Sequence, residues 1–208
     1  GTTDAQPCAV GLKGPGGGRV FYDAGSVQPW GRFLEVAPQA WGGTLYSCRS
    51  CGAAAGVTTE TSDKGPNDGF FPCRDDNTGL LLSGEAGANG RAIGDGRRNT
   101  QLLQSPECVN GTQSAVTLAS GYRGLGLTDW YLPSKGELYE LCKYEGRNAI
   151  GGFPVGDYVS STTEYYESMK MTRFNMIYFV DSNCTSDVNP FTGAKYGRHY
   201  VRPIRAFS

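Results

Sequence analysis

The sequence predicts an α+β protein built on a mixed or antiparallel sheet, and three observations carry that prediction. Strand-like alternation occurs near both ends of the chain, in Arg19–Asp23 and Phe33–Pro38 and again in 170–180 and 200–207. Helix signals fall between them, the clearest at Ser134 and Glu137. Glycine, at 31 of 208 residues, is about twice its usual share, and charged residues make up only 19%. That balance suits a loop-rich sheet protein better than a helical bundle. Strands at both ends leave the terminal strands free to pair, with two to three short helices and a long irregular loop region between them.

The elements follow in order. Gly11–Arg19 contains three Gly-X-Y triplets, too few for a triple helix, and reads as a glycine-rich turn into the strand Arg19–Asp23. It is a poor phosphate loop, because it lacks a G-K-[ST] ending and precedes a strand. Phe33–Ala37 alternates and is stopped by Pro38. Residues 47–90 show no periodicity and are rich in Gly, Ser, Thr, Asn and Asp, and a loop of that length is either functional or disordered. Asp95-Gly96 opens a short helix through Leu102 and Leu103, closed by Ser105-Pro106, and 112–120 offers another, stopped at Gly121.

The best-specified stretch is Gly126–Gly146. Ser134 and Glu137 form a capping box, Leu138, Leu141 and Cys142 recur on one helical face, and Gly146 stands where a left-handed C-terminal cap is expected. Asp129-Trp130-Tyr131-Leu132 supplies a hydrophobic approach to that helix. In 170–180, Phe174, Met176, Tyr178 and Val180 are expected on one face of a strand. The last strand, 200–207, carries Pro203, which places it at an edge or a bulge.

The length fits a single domain, 1–208. A formal net charge of −1 provides no global field for nucleic acid or an anionic membrane. No apolar run approaches the ~20 residues of a membrane span. Seven cysteines, Cys8, Cys48, Cys51, Cys73, Cys108, Cys142 and Cys184, are the disulfide candidates. Their number points to an oxidising, extracellular or cell-surface location, with up to three bridges and one thiol left over. Which of them pair is not readable from spacing. Cys48 and Cys51 resemble half of a structural zinc site that Cys73 and Cys108 complete poorly, since the second pair is not C-x-x-C.

Asp181, Asn183, Asp187 and Asn189 concentrate oxygen ligands of the kind Ca²⁺ takes, although a solvated turn explains the same residues and the spacing is not that of an EF-hand. No motif requires a cofactor. Arg97 and Arg98, with Arg198, Arg202 and Arg205, are candidates for a patch that takes sulfates or carboxylates. Internal pairing with Asp and Glu is the alternative. Arg198 and Arg202 share a face on a continuous strand, and Arg205 does not. Tyr165, Tyr166 and Tyr196 are candidates for stacking on sugar rings, with a place in the core or an interface as the alternative. Catalysis has little support: His199 is the single histidine, and no G-x-S-x-G or H-E-x-x-H accompanies it.

Six blocks, GPGGGRVFYD (14–23), LEVAP (34–38), AIGDGRRNT (92–100), TDWYLPSKGEL (128–138), SSTTEY (160–165) and YVRPIRAF (200–207), resemble the domain family at the C-terminus of the Legionella collagen-like adhesin, also called DUF1566. They occur in the family's order and span almost the whole chain. The resemblance implies a C-type-lectin-like fold with paired N- and C-terminal strands, a family-like core in 10–46 and 91–208, and a cysteine-containing loop insertion in 47–90. That insertion is longer and richer in cysteine than the family pattern. The resemblance also implies a bacterial or phage surface module, a non-enzymatic adhesin that binds glycan or another surface receptor and is a homo-oligomer, as in the trimeric adhesin. The alternative is a structural subunit with filament, pilus or tail neighbours. Neither Glu-Pro-Asn nor Gln-Pro-Asp followed by Trp-Asn-Asp occurs, so sugar binding through a shared calcium is not supported.

Overall fold

The computed structural model describes residues 8–39, 41, 57–60, 90–104, 115–153, 155–166, 171–180, 183–186 and 198–208. The coarse prediction holds: the chain is mixed α+β, with two small sheets and a few short helices.

Strand β1 (Arg19–Gln28) turns at Pro29-Trp30 into β2 (Gly31–Val36), and the two pair antiparallel. The C-terminal strand β8 (Ile204–Phe207) pairs antiparallel with β2, giving the order β1-β2-β8. The chain's last strand therefore joins the N-terminal hairpin through its second strand. The other sheet contains β3 (Val57–Glu60), β4 (Gly156–Tyr166), β5 (Met171–Val180), β6 (Asn183–Ser186) and β7 (Arg198–Val201), in the order β3-β7-β4-β5-β6. Its pairs are antiparallel except β4 and β7, which meet parallel at Tyr158 and Tyr200.

The sequence predicts one strand across 200–207. The chain instead leaves one sheet after Val201 and enters the other at Ile204. Pro203 has no N–H to continue a ladder, and its carbonyl accepts from Ala37 N at 3.0 Å, tying the switch to the end of β2. Arg198 and Arg202 are thus not on one continuous strand.

Four helices lie among the described residues: α1 (Asp95–Leu103), α2 (Ala115–Gly121), α3 (Lys135–Lys143) and the single turn α4 (Arg147–Ile150), with a 3-10 turn at Gly124–Gly126. Both halves of the α3 capping box form. Ser134 N donates to Glu137 Oε2 at 2.7 Å, and Glu137 N donates to Ser134 Oγ at 3.3 Å. A further first-turn amide, Lys135 N, donates to Thr162 Oγ1 on β4 at 2.9 Å.

The end of α3 differs from expectation. Tyr144 turns the chain extended, at φ −62° and ψ 115°, and Gly146, at φ −74°, starts α4 instead of capping α3 in the left-handed region. Glycine is needed there for space, since a Cβ would sit 2.3 Å from Tyr144 Oη.

Adjacent residues of several extended segments enter two different cores. Ala37, Trp130, Leu132, Val159, Met176 and Val201 pack with α1 and α2. Val36, Tyr131, Tyr158, Ile177 and Ile204 pack with Leu138 and Leu141 of α3. A strand's side chains alternate between faces, so these segments form a wall covered on both sides. Met176 enters one core, Ile177 and Phe179 enter the other, and Tyr178 is exposed. A one-sided alternation cannot describe a strand with two buried faces.

Candidate functional site

A row of polar side chains crosses the molecule from one fully buried glutamate to another. Glu35 on β2 accepts from Gly16 N through Oε2 at 3.2 Å, and the same oxygen lies 3.7 Å from Arg205 Nη1. Glu35 and Arg205 are register partners across β2 and β8. Desolvation raises the Glu35 carboxyl above its ordinary value, against the opposing pull of the Gly16 N–H and the Arg205 charge. Gly16 is held between Glu35, Trp130 and Arg205, where a Cβ would approach all three to within 3.0 Å or less. The glycine-rich turn is therefore a lid over this buried pair.

Arg205 turns its other edge to Asp129. Nε donates to Oδ1 at 2.8 Å and Nη2 to Oδ2 at 2.9 Å, a bidentate fork. Burial alone raises the Asp129 carboxyl, but the Arg205 hydrogen bonds and charge outweigh it and hold the group below the usual carboxylate range. Arg97 on α1 continues the row. Its Nη2 lies 3.6 Å from Asp129 Oδ2 and donates to Ala206 O at 3.3 Å, and its guanidinium carbon is 5.6 Å from the Tyr131 ring centre.

Tyr131 then donates its hydroxyl to Glu137 Oε1 at 3.1 Å. Glu137 also accepts from Gly94 N at 3.0 Å, so the glutamate that caps α3 caps α1 as well. Gly94 is left-handed, at φ +98°, with the Trp30 ring where a Cβ would lie. Burial pushes the Glu137 carboxyl up to about 7 despite these donors, and burial together with the Glu137 charge raises the Tyr131 hydroxyl well above its usual value. Within the row, solvent reaches Arg97 and Asp129, whose side chains are 41% and 37% exposed.

The structure distributes the predicted site residues unevenly. Arg97 belongs to the row. Arg98 is exposed on α1. Arg202 was expected on a binding patch and is instead buried. Its Nε, Nη1 and Nη2 donate to Ala37 O, Gly152 O and Gly151 O, each at 3.0 Å, and the Phe153 ring lies 4.3 Å from its guanidinium carbon. Burial lowers its pKa to about 10. The guanidinium takes up carbonyls at the point where the chain changes sheets, which is a structural role. Arg198 opens β7 opposite Glu60, and Tyr165 and Tyr166 close β4 opposite Thr172 and Met171. For Arg205, the internal-pairing alternative is the correct one.

Of the expected cation ligands, Asn183 begins β6 opposite Val180, while Asp181, Asp187 and Asn189 lie outside the described residues. Among the described residues no group of three or more His, Cys, Asp or Glu is placed to hold a metal ion. Cys48, Cys51, Cys73, Cys108 and Tyr196 also lie outside the described residues. Cys8 is an exposed free thiol, and Cys142 on α3 is bonded to Cys184 on β6. Among the described residues no helix is long and apolar enough to cross a membrane.

Glu35 and Asp129 were not singled out as site residues from the sequence. Their spacing from Arg205 has no local pattern, because the row is assembled across strands and a loop. No protein-family model, no curated protein and no solved structure matches the chain.

Proposed function

We propose that the chain is an extracellular, non-enzymatic binding module of C-type-lectin-like architecture, in which a rigid frame displays loops that recognise a glycan or another surface ligand. One observation carries this reading: the six sequence blocks that resemble the adhesin-type domains bond to one another. Gly16 reaches Glu35, and Glu35 reaches Arg205. Asp129 joins Arg205 and Arg97. Gly94 and Ala92 join Glu137 and Ser134. Ser161 N donates to Pro133 O at 2.7 Å, and Lys135 N to Thr162. Polar residues engaged in this way hold the frame, which supports recognition by the segments between the blocks and by the part of the row that solvent reaches. The Cys142–Cys184 bridge fits an oxidising location.

The partly exposed Arg97–Asp129 pair supports a hydroxyl-rich ligand. It offers donors and acceptors side by side with its charges already balanced, which suits a neutral sugar edge better than a bare anion. A glycan array probed with the full chain, with and without EDTA, tests the reading. Binding to a defined glycan set is expected; no binding under either condition removes the carbohydrate version. Light scattering on the same sample separates it from the alternative of a filament subunit, for which ordered assembly without glycan binding is the signature.

A further inference from the structure

Cys142 lies on the buried face of α3, while Cys184 is partly exposed on β6, the edge strand that follows β5 in the sheet order. Arg147 opens α4 and is itself buried. Its Nη1 donates to Cys142 O and lies 3.1 Å from Cys142 Sγ. Its guanidinium carbon stands 5.0 Å from the Phe179 ring centre, and Phe179 is the register partner of Cys184. The cation is therefore held between an aromatic face and one particular sulfur of the bridge.

From this geometry we infer that the Cys142–Cys184 bridge is a thiol-exchange site of fixed polarity. A small thiol attacks Cys184 and remains there as a mixed disulfide, while Cys142 departs as a thiolate paired with Arg147. Exchange rates depend on which sulfur is reachable and on how stable the leaving thiolate is. Both conditions select the same direction. Cys184 is the less buried of the two cysteines, and a guanidinium stabilises the thiolate it touches. Burial of Cys142 acts against ionisation, and the charged hydrogen bond opposes that penalty at close range.

The step is balanced. A lone pair of the incoming thiolate forms the new S–S bond to Cys184 Sγ, the Cys142–Cys184 bond breaks with its electron pair going to Cys142 Sγ, and the proton of the small thiol passes to solvent. One disulfide is exchanged for another without an external oxidant. The covalent tie between α3 and the edge strand β6 is lost, and Cys184 becomes the modified residue.

The test treats the full chain with reduced glutathione at neutral pH, quenches with acid, blocks free thiols with N-ethylmaleimide and maps the peptides carrying residues 142 and 184. Glutathione on Cys184 and maleimide on Cys142 are expected, in at least about a tenfold excess over the reverse. Glutathione chiefly on Cys142, equal adducts on both, or a bridge that excess glutathione leaves intact overturns the inference. Arg147→Gln is expected to slow opening of the bridge roughly tenfold with an unchanged circular dichroism spectrum, and Arg147→Lys to retain most of the rate. A folded Arg147→Gln protein that opens as fast as the unaltered chain also overturns it. Should Arg147→Gln lose its fold, the position of the adduct in the unaltered chain decides.

Discussion

Glu35 and Arg205 face each other across β2 and β8, and the guanidinium that approaches the buried carboxylate also grips Asp129 with a bidentate fork. One arginine thus joins the N-terminal hairpin, the last strand and the approach to α3. Removing it leaves a buried carboxylate without its counter-charge. Arg205→Met is expected to lower stability by about 3–5 kcal/mol in urea unfolding. Arg205→Lys keeps the charge without the fork and is expected to cost roughly 1–3 kcal/mol. Equal stability of Arg205→Met and the unaltered chain contradicts the role assigned to this pair.

Glu137 makes a pH prediction. Its carboxyl titrates near 4.5 when unfolded and at about 7 in the folded protein, so the native state holds the proton more tightly between those values. Stability from this group is greatest below about 4.5, falls as pH rises toward about 7, and is lost above that. Glu35 is shifted in the same direction. Glu137→Gln keeps an acceptor at the junction of α1 and α3 and removes the titration. It is expected to flatten the decline in unfolding free energy between pH 5 and 7.5, and parallel profiles for the two proteins refute this.

Trp130 lies under the glycine-rich turn and meets Tyr122 edge-on at 4.7 Å between ring centres. It is 2% exposed. Trp130→Ala is expected to cost about 3–5 kcal/mol through the cavity it leaves. A soluble Trp130→Ala protein with an unchanged melting temperature contradicts its place in the core.

Arg202→Met separates structure from recognition at a residue first expected to bind ligand. Three carbonyls lose their donor, at roughly 1–3 kcal/mol for each group left unsatisfied. Stability is expected to fall while the affinity of the folded fraction for any glycan found on the array is unchanged. Loss of binding with an unaltered melting curve returns Arg202 to the ligand site.

Local signals were legible wherever neighbours in sequence are neighbours in space. The α3 capping box, the start and end of α1 and the hairpin strands follow from short-range sterics and hydrogen bonding. The end of α3 was misread because Gly146 is small to clear the Tyr144 ring, a reason no cap pattern contains. That both faces of β5 carry buried residues was not legible, because a period of two identifies a single buried face only when the other face is wet.

The sequence by itself determined the α+β fold class and the position of α1, α2, α3, β1, β2 and β5. Only the tertiary structure decided what the arginines do. Arg97, Arg202 and Arg205 look alike along the chain, yet one edges into solvent beside Asp129, one takes up three carbonyls where the chain changes sheets, and one faces a buried glutamate. A side chain's role follows from the dielectric and the partners around it, and both are set by segments up to 165 residues away.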